Sequence, residues 1–129
     1  MRLLLDSQVL LAVVHHEVTA KLGAPIDLLL KSPNEKNVSA ASLWEIAIKH
    51  RLSKLRLMLP LEQLPGYFQA LDYHLLAIDH RHAIEDLVDQ PSTKDPFDRM
   101  LLAQCQVEGM RLVTTDRGLV RHPLAWRSA

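Results

Sequence analysis

The sequence predicts an α/β fold, a short parallel sheet of four to five strands with helices on both faces. Three observations carry that expectation. Apolar runs of strand length recur along the chain, and several end in a carboxylate. Longer segments with apolar residues at helical spacing separate them. Gly, Pro, Asn and Ser gather at the joins, as they do in turns between such elements.

The elements follow in order. "RLLLD" (Arg2 to Asp6) reads as a buried parallel strand, because its apolar residues are continuous rather than alternating. "SQVLLAVVHHE" and "APIDLLLKS" read as helices, the second closed by the turn cluster "SPNEKN". "NVSA" is short and β-like and leads into "SLWEIAIKHRLSKL", an apolar helix with a basic tail. "LPLEQLPGYFQALDY" is helical with interruptions, since Pro65 and Gly66 weaken it. "HLLAID" is a strand and "HRHAIEDLV" a helix. A helix opened by Asp95 runs to Glu108, where Gly109 stops it. "RLVTTD" (Arg111 to Asp116) is a strand, and "LAWRSA" is expected to add a short edge strand.

At 129 residues, the chain is expected to form one domain over 1–129 with room for a core. Its 48% hydrophobic and 23% charged residues exclude a disordered chain. Fifteen basic residues balance fifteen acidic ones, so any surface for nucleic acid must be local. One cysteine, Cys105, permits no internal disulfide, and no run is long and apolar enough for a membrane span. A soluble, cytoplasmic protein is expected.

Four acids stand out. Asp6 and Asp116 end strands, and in open α/β sheets ligands bind beyond the carboxyl ends of strands, where strand order reverses. Glu45 lies inside "LWEIAI", in a helix apolar on most sides, so its carboxylate needs a cation or a strong hydrogen-bond donor. It also matches a capping box with Ser42, spaced S-x-x-E, and either reading fits. In "KDPFDRMLLAQ", Asp95 caps a helix that Pro96 begins, and Asp98 falls in the first turn. Capping explains Asp95 and leaves Asp98 replaceable by Glu or Gln, unless other carboxylates need it. Several carboxylates in one crevice repel one another, and a hard divalent ion resolves that conflict. Such a site suits phosphodiester hydrolysis by a metal-activated water.

The order of these segments resembles the PIN-domain ribonucleases, in particular the toxin components of bacterial toxin–antitoxin pairs. "LLLDSQVLLAV" looks like that family's opening strand, aspartate and helix. "VSAASLWEIAIKHRLSKL" looks like the segment with its glutamate, and "DPFDRMLLAQCQVEGMRLVTTD" like the one with its last two aspartates. The resemblance implies an acidic metal site of Asp6, Glu45, Asp98 and Asp116, with Asp95, Thr114 and Ser7 in support. It further implies Mg2+ or Mn2+ as cofactor, RNA as substrate, a cognate antitoxin as partner, and a homodimer. The apolar "LPLEQLPGYFQALDY" segment is a candidate contact for that dimer. Gln8 and Thr93 stand where the family commonly has histidines, which bears on rate and substrate rather than on the metal.

Other signals are weaker. Seven histidines lack the cysteine or H-E-x-x-H pattern of a zinc site, and read as surface or capping residues. Cys105 reads as packing. "KHRLSKLR" reads equally as a solvated face or as a contact for RNA phosphates. With two each of Trp, Tyr and Phe, recognition of RNA is expected through phosphates and shape rather than base stacking. The leading function is therefore a metal-dependent endoribonuclease. One alternative is a non-catalytic module that keeps the fold to bind protein or RNA. Another is a different metal-dependent phosphohydrolase, which Gln8 disfavours by standing where a second aspartate of an aspartyl-nucleophile phosphatase belongs.

Overall fold

The computed structural model describes residues 1–128. Four parallel strands form one sheet in the order β3-β2-β1-β4, with β1 Arg2–Leu5, β2 Glu35–Ser39, β3 His74–Leu76 and β4 Arg111–Val113. Helices α1 Ser7–Val14, α2 Val18–Leu22 and α3 Ala24–Lys31 join β1 to β2. Helix α4 Ala40–Arg51, a 3-10 turn at Leu61–Gln63 and α5 Leu64–Ala70 lead to β3. Helices α6 His80–Ile84 and α7 Pro96–Glu108 lead to β4. The predicted α/β class holds, with four strands. Among the described residues, no helix is long and apolar enough to cross a membrane.

Strand β1 shows why the sheet must be covered on both sides. Leu3, Leu4 and Leu5 are all fully buried, and successive strand residues point to opposite faces. Leu3 and Leu5 join Val9, Leu10, Ile46 and Phe68 in one core. Leu4 joins Leu101, Leu102, Cys105 and Leu112 in the other. Cys105 is packing, as expected, and burial pushes its thiol up to about 12, far from a reactive thiolate.

The structure departs from the expected boundaries where the chain meets left-handed backbone or lacks a core to pack against. The first helix ends at Val14 because His16 takes φ 56°, and the chain turns into α2, which the sequence did not reveal. Helix α4 stops at Arg51, with Ser53 at φ 57° just beyond. Helix α6 makes little more than one turn. Ile84 and Val88 are over 80% exposed there, so no apolar face holds a longer helix. "LAWRSA" adds one parallel bridge, Ala125 to Leu112, rather than a strand. Helix α7 keeps its expected ends, Asp95 as N-cap and Gly109 as left-handed C-cap at φ 70°.

Candidate active site

Strand order reverses between β1 and β4, which pair directly. From β1 the chain moves outward through β2 and β3, then returns to β4 on the other side. The crevice beyond their carboxyl ends is therefore a topological switch point. Asp6 follows β1 and is held to β4 by its backbone N–H, which donates to the Val113 carbonyl at 3.1 Å. Asp116 follows β4 after Thr114 and Thr115, and its N–H donates to Thr114 Oγ1 at 3.0 Å.

Asp6 is also the N-cap of α1, where its Oδ1 accepts from Val9 N–H at 3.0 Å. Burial pushes its carboxyl up to about 6. The Thr114 hydroxyl and the Val9 N–H oppose that shift, and the charges of Asp116 and Glu45 add to it. Asp98 rises to about 6 as well, through burial first and then the charges of Asp95, Asp116 and Glu45, with Thr93 opposing. Elements distant in sequence thus bring Asp116 and Glu45 close enough for their charges to raise both Asp6 and Asp98.

Glu45 is buried and has both kinds of partner its position requires. Ser7 Oγ donates to Oε1 at 2.6 Å, and Lys49 Nζ lies 3.1 Å from Oε2. The capping box with Ser42 does not form: the N-cap of α4 is Ser39, and the buried Ser42 hydroxyl has no hydrogen-bond partner. Asp98 likewise closes no capping box. The Asp95 N–H donates to Thr93 Oγ1 at 3.1 Å, and the Thr93 hydroxyl donates to Asp98 Oδ2 at 3.4 Å. Asp95 itself accepts from Phe97 N–H at 2.8 Å, so it serves as a cap and adds negative charge beside Asp98.

Two residues escaped the reading of the sequence. Lys49 was one charge of a basic run, yet i,i+4 spacing from Glu45 put the two on one helix face. Gly118 gave no signal beyond its nearness to Asp116. A Cβ there would come within 3.2 Å of Asp116 Oδ2, so the glycine leaves that carboxylate its room.

The four acids do not converge on one point. Among the described residues, the group whose ligand atoms all lie within 4.8 Å of one another is Asp79, His82 and Glu108. Glu108 ends α7 and Asp98 lies in its first turn, so this group lies about 15 Å along the helix from the crevice. It is a clasp rather than a metal centre. His82 Nδ1 accepts from the Asp79 N–H at 3.0 Å, and Nε2 lies 2.7 Å from Glu108 Oε2. Both ring nitrogens are therefore engaged, the first as part of a capping box for α6. The guanidinium of Arg81 bridges Asp79 and Glu108, each at 2.9 Å, and holds the Asp79 carboxyl well below its usual range. Arg81 already supplies the positive charge a metal would bring.

The crevice offers a different donor set, carboxylates with the hydroxyls of Ser7 and Thr114 beside them. These are hard oxygen donors, which fit magnesium or manganese and not a soft ion. Magnesium keeps several waters and is usually held by only one or two carboxylates directly, so a spread set of four suits it. Burial and the charges of neighbouring acids raise Asp6 and Asp98, so a positive charge in the crevice would be favoured.

Comparison with known proteins agrees with this architecture. No curated protein matches the chain. Among solved structures, the chain is similar to one from VapBC2 of Rickettsia felis, determined bound to a DNA fragment from their promoter. Identity is 17%, the TM-score is 0.56, and the match covers 97% of this chain and 96% of that one. At that identity the likeness speaks for the fold alone. The PIN domain family model matches residues 3–123, nearly the whole chain, and the protein belongs to the PIN domain family.

Proposed function

We propose that the protein is a metal-dependent endoribonuclease, the toxin of a toxin–antitoxin pair. The observation that carries this reading is the set of four carboxylates around the switch point, where burial first, and then the charges of neighbouring acids, raise Asp6 and Asp98 to about 6. Asp6, Glu45, Asp98 and Asp116 would hold Mg2+, or Mn2+, directly or through water. The ion supplies a water of lowered pKa and positive charge for the phosphate and the leaving oxygen. Ser7 and Lys49 hold Glu45, the Thr114 hydroxyl favours the charged form of Asp6, and Thr93 makes a long contact to Asp98. Gln8 lies at the exposed start of α1 and cannot titrate, so no histidine assists from that position.

An antitoxin protein as partner is supported by the motif resemblance and by the similarity in fold to a chain of VapBC2. A homodimer and a cytoplasmic location belong to the same reading. The test is cleavage of a mixed cellular RNA pool by the purified, partner-free chain, with magnesium, with manganese and with a chelator. Cutting that needs the metal and stops with the chelator is the expected result. An RNA pool left intact under every condition would sink the nuclease reading.

Gly118→Ala offers a second check. The added methyl crowds Asp116 Oδ2, so the carboxylate must shift by a few tenths of an ångström. Metal affinity, followed by calorimetry, is expected to fall on the order of ten-fold, the size found when support of a metal ligand is disturbed. The melting temperature should hold, since Gly118 is exposed and its backbone needs no left-handed φ. Unchanged affinity would remove Asp116 from the metal site.

A further inference from the structure

We infer that Trp44, braced by Phe97, is a stacking platform for an unpaired base of the RNA beside the cleaved phosphodiester. The inference rests on the nuclease reading and adds a specificity-determining residue to it. Trp44 directly precedes Glu45 on α4, and Phe97 directly precedes Asp98 in the first turn of α7. The two rings meet edge to face, with centroids 5.5 Å apart and planes at 74°. This contact bridges the two helices that carry two of the four acids.

Trp44 remains 60% exposed although it is the largest side chain on α4. An indole left open beside a polar crevice gives up the stabilisation that burial would bring. It keeps a π-face available, and the Phe97 brace limits the freedom that binding would otherwise have to remove. Every base has a π-face, but only an unpaired one can present it to a side chain. The composition, with so few aromatic residues, had pointed to phosphates and shape alone.

The test measures binding of a labelled single-stranded RNA and of a hairpin holding the same sequence in its stem. Asp98→Asn serves as the background, in magnesium, so that the RNA stays intact. Trp44→Ala is expected to weaken single-strand binding about 5- to 150-fold, the range for loss of one stacked base. Trp44→Phe should recover most of it, and stem binding should change little. Indole fluorescence should fall on adding single-stranded RNA, and Trp44→Phe, which leaves Trp126, should lose that response. A melt of each variant checks folding.

Equal single-strand affinity in Trp44→Ala and its parent would overturn the platform while leaving the nuclease reading intact. So would a Trp44→Ala chain that changes its sedimentation but not its RNA affinity, which would assign the ring to contact with a second copy. If the unmodified chain neither binds nor cuts RNA in magnesium or manganese, the platform and the nuclease reading fall together.

Discussion

Asp98→Asn is expected to slow metal-dependent RNA cleavage at least about 100-fold, equivalent to ~3 kcal/mol of lost transition-state stabilisation. The substitution keeps shape and removes charge. The cap of α7 survives, because Asp95 supplies it and Asp98 closes no capping box. The loss of a favourable charge at a helix N-terminus costs about 0.3–1 kcal/mol, and relief of repulsion from Asp95, Asp116 and Glu45 offsets it. The variant should therefore melt within a few degrees of the parent while losing activity. Single-turnover cleavage measured beside a thermal melt separates the two effects. Full activity in a folded Asp98→Asn chain would reduce Asp98 to a helix-start residue.

The same site predicts the pH dependence. Asp6 and Asp98 both titrate near 6, so below that value protons compete with the metal for them. Metal affinity should rise with pH up to about 6–7 and then level, with proton release on binding in the lower range.

Asp6→Asn is expected to stabilise the metal-free chain by about 1–3 kcal/mol at neutral pH while abolishing cleavage. Burial raises the Asp6 carboxyl from 3.8 to about 6, so between those values the folded state binds more protons than the unfolded state. Stability from this group is present below 3.8, falls as pH rises through 6, and stays low above it. At ~1.4 kcal/mol per pH unit, the charged carboxylate costs on the order of 3 kcal/mol at pH 7. Asparagine keeps the acceptor that caps α1 through Val9 N–H and carries no charge. Urea unfolding at pH 7.5 and at pH 4 measures the difference, which should shrink or reverse at the lower value. Magnesium should also shrink it, by stabilising only the parent. A variant less stable than the parent at pH 7.5 without metal would mean that Asp6 is already neutralised there.

Periodicity and punctuation alone placed much of this protein. Three consecutive leucines ending in Asp6 specify a strand covered on both faces, and Asp95, Pro96 and Gly109 mark the ends of α7 within the sequence itself. The spacing of Glu45 in an apolar helix demanded a partner. What local signals cannot report is where the chain turns for want of a packing surface. The short α2 and the early end of α6 are set by left-handed backbone at His16 and by the absence of a core beneath Ile84 and Val88.

The acids themselves were legible, because Asp6 and Asp116 follow apolar strands, Glu45 lies inside an apolar helix and Asp98 stands just ahead of an apolar run. Their gathering was not. It depends on β1 pairing with β4, a contact between residues more than a hundred positions apart. The choice of Ser39 over Ser42 as the cap of α4, of Ser7 and Lys49 as partners of Glu45, and of Phe97 as the brace of Trp44 also belongs to the tertiary structure. Ser7 and Phe97 reach their partners only through packing, whereas the Ser39 cap and the Lys49 pair are local contacts that burial in the folded chain selects.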